Sequence, residues 1–538
     1  MNELYYGDNL DVLREFPSEH VDLVYLDPPF NSNATYNVLF RTPQGQESQA
    51  QIAAFDDTWH WGEQAEREFR ELLGQENTDV AQMMDALRRF LGENDMMAYL
   101  TMMANRLLQL HRVLKPTGSL YLHCDPTASH YLKVVMDGVF GNENYQNEII
   151  WKRTTAHNTT SRRYGSITDT LLFYSKSARY YFCPPSVEHD SNYIDKQYRF
   201  VDGNGRRFRF HLIERNESLG IRKNLIYEYK GYTPRLGWMM EKERLVELDA
   251  QGKLAWSSKG KPLRKIYLDE VAAQKCGNLW DEIKPIQASA SERLGYPTQK
   301  PLALLERIIN ASSNTGGVVL DPFCGCGTAL HAAQKLQRQW IGIDITHLAI
   351  SLIENRLRKA FPEIKFETHG TPKDLEGAQD LAARDKYQFQ WWACALVGAQ
   401  PYGGKKKGAD SGIDGLIFFQ DDASGAAKRI VVSVKGGANV NVAMVRDLAH
   451  VVEREKAAIG LFVTLAKPTE PMRTEATKAG FYECERNKKA YPKLQILTIE
   501  GLLAETERPQ YLDLSQGEST FKPAPREKGP KVKQAKLL

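Results

Sequence analysis

Short apolar runs alternate with amphipathic stretches over the first 150 residues. The apolar run Val21–Leu26 is followed by a helical pattern across residues 96–114 and by a second apolar run at 119–123. This alternation predicts βαβ units around a mainly parallel sheet. The polar, irregular stretch 31–92 predicts a lid or an insertion.

The same alternation returns after residue 276. A helical pattern at 301–309 precedes an apolar run at 318–320, a glycine-containing loop, a second helix and a final apolar run at 340–345. Between 151 and 276 the pattern breaks into short aromatic and basic runs, which predicts a separate inserted lobe. The fold class is therefore α/β and Rossmann-like, with the two halves 1–150 and 277–365 flanking that lobe.

A polar segment, 366–380, predicts a linker to a second α/β domain at 381–510. Its strand candidates are the apolar runs 416–419, 429–434 and 460–465. The Pro- and Lys-rich end, 511–538, predicts a disordered basic tail.

Charge is unevenly distributed along the chain. Residues 151–265 carry 23 Lys and Arg against 12 Asp and Glu, although the net charge of all 538 residues is only +3. Such segregation favours a polyanionic partner at the inserted lobe. A solvated basic face is the alternative interpretation of the same charge.

The seven cysteines are scattered, and the spacing of Cys324 and Cys326 does not suit a zinc knuckle. We expect reduced thiols in a cytoplasmic protein. The N-terminus lacks the pattern of a signal peptide, and no apolar run is long enough to span a membrane, so no membrane partner is expected.

Two loops with candidate chemistry follow predicted strands, where ligands bind in open α/β sheets. The first is Asp27-Pro28-Pro29-Phe30. The Asp27 carboxylate and the Pro28 carbonyl can each accept one N–H of a planar amine, on a backbone that two prolines stiffen. The Phe30 ring offers a face on which a base can stack. Taken by itself, this motif is equally consistent with a turn that ends a strand and has no chemical role.

The second loop, 321–328, opens a predicted helix. Gly325 and Gly327 let its backbone approach a ligand closely. Asp344 ends the next strand, where an acid meets ribose hydroxyls, and Asp321 suits the ammonium of a methionine moiety better than a pyrophosphate. The candidate cofactor residues here are Asp321, Phe323, Gly325, Gly327, Thr328 and Asp344. Together the loops predict methyl transfer from S-adenosylmethionine to an exocyclic amine of a base, flipped out of its duplex.

These motifs resemble the β-class DNA amino-methyltransferases, in which the catalytic motif precedes the cofactor motif and a target-recognition domain lies between. The similarity covers about residues 1–365 and implies a Rossmann-like, S-adenosylmethionine-dependent methyltransferase sheet with the recognition lobe at 151–276. It implies that Asp8 lies near the cofactor base and that Gln299 and Lys300 line the methionine end. An acid at position 27, rather than Ser, resembles the adenine-N6 subgroup.

The second domain resembles the Mrr-like branch of the restriction-endonuclease fold. Asp414 and Lys435 fit that family's metal-binding and catalytic places, which implies Mg²⁺ binding. Ser433 departs from the pattern, because a hydroxyl is a weaker metal ligand than a carboxylate. An inactive domain kept for binding DNA is the alternative.

The expected function is site-specific adenine-N6 methylation of double-stranded DNA. The alternatives are a bifunctional restriction–modification enzyme whose second domain cuts DNA, a cytosine-N4 methyltransferase, an RNA or protein-amide methyltransferase, and a nonenzymatic DNA-binding module. The sequence leaves open whether the chain forms a homodimer, and it does not give the recognition sequence.

Overall fold

The computed structural model describes residues 2–29, 35–41, 47–56, 60–75, 77–124, 126–155, 164–187, 191–271, 274–287, 290, 292–294, 296, 298–402, 412–422, 426–515, 519, 520 and 527. The predicted stacking residue Phe30 lies outside this described part. Two compact units divide the chain: Met1–Cys183 together with Asn278–Leu538, and Pro184–Gly277.

A mainly parallel sheet organises the methyltransferase-like part of the first unit, as the alternating pattern predicted. It has nine strands within the described residues. In spatial order these are Leu279–Trp280, Tyr145–Lys152, Thr168–Ser175, Leu114–Cys124, Val21–Leu26, Val318–Asp321, Gln339–Asp344, Asn2–Tyr6 and Phe366–His369. Only Thr168–Ser175 runs antiparallel to its neighbours among these strands.

Helices alternate with these strands along the chain. They are Asn9–Glu15, Glu63–Leu73, Thr78–Leu91, Asp95–Val113, Ser129–Phe140, Leu302–Ser312, Thr328–Lys335 and His347–Ala360. The central helix Asp95–Val113 begins where the Asn94 side chain accepts the Met97 N–H at 3.0 Å, and its Leu100, Leu107 and Leu110 are fully buried. Such caps and buried faces are what fix a helix in place.

The polar stretch 31–92 is more regular than predicted. It contains the helices Glu63–Leu73 and Thr78–Leu91 and a two-stranded hairpin, Thr35–Arg41 with Glu47–Asp56. Both helices are strongly amphipathic, with Phe69 and Met84 buried on their inner faces. Charged residues on the outer faces obscure this periodicity when the segment is judged by overall polarity.

The second unit, Pro184–Gly277, is the inserted lobe. Its strands are Ser186–Val187, Phe200–Val201, Arg207–Leu212, Leu254–Trp256, Pro262–Tyr267 and Gln274–Lys275, and its helices are Ser191–Gln197 and Lys242–Ala250. Ile213, Trp238 and Leu245 form its core. The lobe begins at Pro184 rather than at residue 151, because the strands Tyr145–Lys152 and Thr168–Ser175 pair with each other and extend the main sheet.

The C-terminal part of the first unit holds a second α/β sheet. Its strands, in spatial order, are Gln400–Pro401, Gly415–Phe419, Lys428–Lys435, Ile459–Thr464 and Leu494–Thr498, with a hairpin Phe481–Glu483 and Ala490–Pro492 beside them. Its helices are Leu375–Arg384, Lys386–Leu396, Val442–Arg454, Glu470–Lys478 and Ile499–Leu503. The three predicted strands are confirmed.

The predicted linker 366–380 is wrong in part, because Phe366–His369 pairs with Asn2–Tyr6 at the edge of the main sheet. The predicted disordered tail also has ordered contacts among its described residues. Thr520 is 3% exposed and its Oγ donates to the Phe418 carbonyl at 2.7 Å. None of the described helices combines the length and the apolarity that crossing a membrane requires.

Candidate active site

A cavity of about 260 Å³ opens at the carboxyl ends of the central parallel strands. The strand register Leu320↔Val24 and Asp321↔Gly342 aligns three strand ends, so the loops that follow them meet. The predicted residues that line this cavity are Asp8, Asp27, Pro28, Pro29, Gln299, Lys300, Asp321, Phe323, Gly325, Thr328 and Asp344. The two loops found in the sequence therefore face one space, although almost 300 residues separate them.

Lys300 and Asp27 form an ion pair at this cavity. Lys300 Nζ donates to Asp27 Oδ2 at 2.5 Å, and the two side chains are only 10% and 15% exposed. Lys300 Nζ also lies 3.4 Å from the Thr298 carbonyl oxygen. A nearly buried ion pair orients its carboxylate more firmly than a solvated one, because few other partners compete.

The neighbouring Gln299 folds its own loop. Its Oε1 accepts the Leu294 N–H at 2.8 Å, and its Nε2 donates to the Glu292 carbonyl at 2.6 Å. The amide is thus satisfied within the loop that carries Lys300 and holds that loop at the cavity.

The glycine loop takes the conformation that its sequence predicted. Gly325 and Gly327 have φ of +50° and +72°, in the left-handed region. A Cβ at Gly327 would lie 2.8 Å from Ile353 Cγ1, and one at Gly325 would lie 3.2 Å from the Tyr296 ring. Both positions therefore need glycine for backbone conformation and for space.

Asp344 fastens this loop. Its Oδ2 accepts the Gly325 N–H at 3.0 Å, and its Oδ1 accepts the N–H and the hydroxyl of Thr346, both at 2.9 Å. Burial raises the pKa of Asp344 to about 6. The residue lines the cavity where a ribose contact was predicted, and it also shapes the loop, which the sequence did not indicate.

Asp321 is the most deeply buried acid of the cavity, at 4% exposure. Its Oδ1 accepts the Phe323 N–H at 3.1 Å. Burial raises the pKa of Asp321 well above its ordinary value, and the charges of Asp27 and Asp344 add to that effect. A cationic group of a ligand beside it would favour the ionised form.

Asp8 belongs to a network that sequence reasoning missed. Its Oδ1 caps the helix Asn9–Glu15 by accepting the Leu10 N–H at 2.7 Å, and Arg106 donates to both carboxylate oxygens at 2.8 and 3.0 Å. Arg106 also bonds Asn9, whose Nδ2 donates to the Pro322 carbonyl at 2.8 Å. The available signal was Arg106 in a mostly apolar helix, ahead of the last turn that holds His111 and Arg112.

The charges of the cavity suit a cationic nucleoside. Four of its lining residues are carboxylic acids, whereas its bases are Lys300 and Arg106. The acids provide acceptors for hydroxyl and ammonium groups, and the glycine loop lets backbone approach a ligand. A phosphate-bearing ligand would meet repulsion from these acids.

In the C-terminal sheet, the Asp414 carboxylate is occupied by protein donors. Oδ2 accepts the Val434 N–H at 2.7 Å and lies 3.4 Å from Ser433 Oγ, while Oδ1 accepts from Gln390 at 3.1 Å. Asp414 and Ser433 are thus brought together, and Lys435 ends the same strand as Ser433. Across the described part of the chain, His, Cys, Asp and Glu form no group of three that could hold a metal ion, so the expected Mg²⁺ site gains no support.

Comparisons with known proteins match two separate parts of the chain. A family model of N6 and N4 methyltransferases, described as DNA methylase, matches residues 21–355. A model described as NACHT-associated inactive restriction endonuclease 1 matches residues 397–504. The match does not confirm the Mrr-like assignment, and its description is of an inactive nuclease.

Among curated proteins, the type II methyltransferase M.EcaI of Enterobacter cloacae is 34% identical over 262 residues, which are 48% of this chain and 57% of that protein. The type III restriction-modification enzyme StyLTI Mod subunit of Salmonella typhimurium is 27% identical over 358 residues, 62% of this chain and 50% of the relative. This chain thus spans about half the length of these relatives. A solved structure of a putative DNA modification methylase from Thermus thermophilus, complexed with S-adenosyl-L-methionine, aligns at 17% identity and a TM-score of 0.33, covering 68% of this chain and 99% of that one.

Proposed function

This chain belongs to the DNA methylase family that groups N6 and N4 methyltransferases, and from that membership we propose that it transfers a methyl group from S-adenosylmethionine to N6 of adenine in duplex DNA. The observation that carries the proposal is the convergence of Asp27 and the loop 321–328 on one cavity. One loop offers acceptors for an amine, and the other offers a glycine-lined surface with acids for a cationic nucleoside.

The residues of the cavity fit the cofactor. Asp344 offers an acceptor to ribose hydroxyls. Asp321 lies where the ammonium of the cofactor would offset the cost of burying its charge. Asp8 and Arg106 form the wall near the nucleoside base. When bound, S-adenosylmethionine supplies an electrophilic methyl group on its sulfonium. The chain's own part is to hold the acceptor amine in line and to exclude water.

Asp27 and Pro28 prepare the amine. The amine lone pair is delocalised into the base ring, and two acceptors on its N–H groups draw it out. The Asp27 carboxylate accepts one N–H and the Pro28 carbonyl accepts the other, while Lys300 holds Asp27 in orientation. The aspartate at position 27 favours adenine N6, because an acid here, rather than Ser, resembles the adenine-N6 subgroup.

We assign target choice to the unit Pro184–Gly277. This unit carries 18 Lys and Arg against 13 Asp and Glu, and the excess supports phosphate contacts. Arg206 pairs with Asp269 and Glu270 at 2.8 and 2.7 Å, and Arg207 pairs with Asp195 at 2.9 Å, so a phosphate must compete with these exposed pairs. Exchanging this unit for that of a relative should move the methylated site. Unchanged specificity after the exchange would locate recognition elsewhere.

The C-terminal domain is assigned a non-cutting role. The hydrogen bonds to Asp414, the hydroxyl at Ser433 and the match to an inactive endonuclease model all support this assignment. The chain then acts as the modification component of a restriction–modification arrangement, and cutting, where it occurs, belongs to another protein.

Methylome sequencing tests the proposal in a host that lacks its own DNA methyltransferases. Expression of the chain should mark adenine N6 at one recurring sequence, and expression of Asp27→Ala should leave the genome unmarked. Finding only N4-methylcytosine would contradict the adenine assignment and would leave the assignment as a DNA amino-methyltransferase intact. An unmarked genome from soluble wild-type protein would count against methylation of DNA altogether.

A further inference from the structure

Three polar side chains form a line across the interior of the main sheet. Tyr25, His123 and Asp169 lie on the adjacent strands Val21–Leu26, Leu114–Cys124 and Thr168–Ser175. Tyr25 Oη lies 3.0 Å from His123 Nδ1, and His123 Nε2 lies 3.1 Å from Asp169 Oδ2. Their exposures are 2%, 0% and 2%. The function proposed above makes no use of this buried line.

The ionisation state of Asp169 sets the direction of the hydrogen bonds along this line. Although burial raises the pKa of Asp169, the hydrogen bond from His123 and the positive charges of Arg153 and Lys300 are among the effects that lower it overall. An ionised carboxylate only accepts, so His123 Nε2 donates to it. In a neutral imidazole the other nitrogen then accepts, and Tyr25 Oη–H is its donor. Burial raises the pKa of Tyr25 well above its ordinary value, so the hydroxyl keeps its proton.

The Tyr25 end of the line reaches the active-site cavity. Tyr25 lines that cavity and precedes Asp27 by two residues, on the same face of the chain. The charges of Asp27 and Asp321 contribute to its raised pKa, so both acids lie within electrostatic range of the hydroxyl. Because the Tyr25 hydroxyl donates its hydrogen bond to His123, its oxygen can still act as an acceptor.

The Asp169 end reaches toward the surface. Arg153 Nε lies 3.2 Å from Asp169 Oδ1, and the Arg153 side chain is 39% exposed. Between the two ends, the Trp151 ring meets the His123 ring edge-on at 5.8 Å. A histidine and a carboxylate in this setting cost more to bury than the leucines that occupy many neighbouring core positions, so a stabilising role alone accounts for them poorly.

We propose that Tyr25, His123 and Asp169 form a proton relay that takes the proton released when the target amine is methylated. The inference rests on the proposed methylation of an exocyclic amine. One oxygen of Asp27 is already occupied by Lys300 Nζ at 2.5 Å. The relay gives the proton a destination other than Asp27.

Atoms and charge balance in this step. After methyl transfer the amine nitrogen carries one proton more than the neutral product. One of its two N–H groups is released from Asp27 or from the Pro28 carbonyl, its N–H bond breaks as the proton binds Tyr25 Oη, and the former Tyr25 proton passes to His123 Nδ1. His123 then carries protons on both nitrogens beside the Asp169 carboxylate, so the positive charge has moved from the amine to the imidazole. The reverse transfer returns the proton to water after the product leaves.

Tyr25→Phe tests the relay with a matched control. Tyr121 is the cross-strand partner of Tyr25, is equally buried, and bonds Ser312 Oγ at 2.8 Å instead of a relay residue. We expect Tyr25→Phe to slow single-turnover methylation about 100-fold, the scale of general acid–base catalysis, with cofactor affinity unchanged. Tyr121→Phe should stay within twofold of the wild-type rate, and both should show similar shifts in melting temperature.

Chemical rescue separates a relay from a structural role. His123→Ala should be slow and should recover when imidazole is added, whereas Tyr25→Phe should not recover. A Tyr25→Phe rate within twofold of the wild-type rate would overturn the relay, whether or not His123→Ala folds. Equal recovery of Tyr25→Phe and His123→Ala with imidazole would also overturn it. Wild-type protein that methylates no DNA would overturn the proposed function and the relay with it.

Discussion

Lys300 Nζ lies 2.5 Å from Asp27 Oδ2. Lys300 belongs to the segment that precedes the strand Val318–Asp321, and this segment therefore supplies the cation that pairs with Asp27. The two residues are 273 positions apart and both side chains are nearly buried. The pair links the two halves of the active site directly. It also means that substitution of Asp27 alters both the chemistry of the site and the electrostatic environment of Lys300.

Asp27→Asn should abolish turnover and leave cofactor affinity within about threefold, because the amide keeps the size of the side chain and loses its charge. Asp27→Ala should also reduce stability, since removing one partner of a buried ion pair costs about 3–5 kcal/mol. Adding Lys300→Met to Asp27→Ala should recover stability without turnover. Calorimetry, thermal melts and methylation assays measure the three effects. Residual turnover in Asp27→Asn would contradict the assigned role.

Asp344 should make cofactor binding depend on pH. Burial raises its pKa to about 6, so the stability that protonated Asp344 contributes is present below about pH 4 and is lost as the pH rises through about 6. Cofactor affinity should change in the opposite direction, because the ionised carboxylate is the better acceptor for Gly325 N–H and for ribose.

Calorimetry and thermal melts at about pH 5 and about pH 7 test the two trends, and Asp344→Asn should flatten both. Asp11→Asn is a suitable control, because the Asp11 side chain is 77% exposed. The assignment fails if Asp344→Asn keeps the wild-type dependence on pH.

Trp391 should support the cofactor loop from the C-terminal domain. It is 6% exposed and packs in one apolar cluster with Tyr296, Cys326 and Leu348. Trp391→Ala should cost about 3–5 kcal/mol of stability and should weaken cofactor binding, because the loop loses its packing partner. Phe481→Ala, at a position 66% exposed, is the control. Unchanged cofactor affinity in folded Trp391→Ala would show that the two domains act independently.

Asp414→Ala should destabilise the chain rather than remove an activity. The carboxylate accepts the buried Val434 N–H, and loss of such a partner costs on the order of 1–3 kcal/mol.

The wild-type chain should show little cleavage of DNA with Mg²⁺ or Mn²⁺, whether or not it has methylated that DNA. Robust cutting that is lost in both Asp414→Ala and Lys435→Ala would restore the nuclease interpretation.

Local signals account for what the sequence predicted correctly. The motif beginning at Asp27 and the glycine loop around Gly325 each combine an apolar strand with turn chemistry, so both were recognisable, and both line the cavity. Parallel strands then bring their ends to one edge of the sheet. The fold class and the candidate residues of these two loops follow from these two facts.

Nonlocal partners account for what the sequence missed. Arg106 lies 98 residues from Asp8, and His123 lies 98 residues from Tyr25, so only tertiary pairing connects them. The lobe boundary was placed too early for the same reason, because the strand Thr168–Ser175 joins the main sheet through pairing that composition does not encode. Asp344 was expected only to contact ribose, and its bonds to Gly325 and Thr346 depend on how the loop folds back.

The most direct test of the central claim is mass spectrometry of nucleosides from duplex DNA treated with purified chain and deuteromethyl-labelled S-adenosylmethionine. The account predicts labelled N6-methyladenine with wild-type protein and none with Asp27→Asn. Label only in N4-methylcytosine, or equal label in the two proteins, would contradict the claim that Asp27 prepares adenine N6 for methylation.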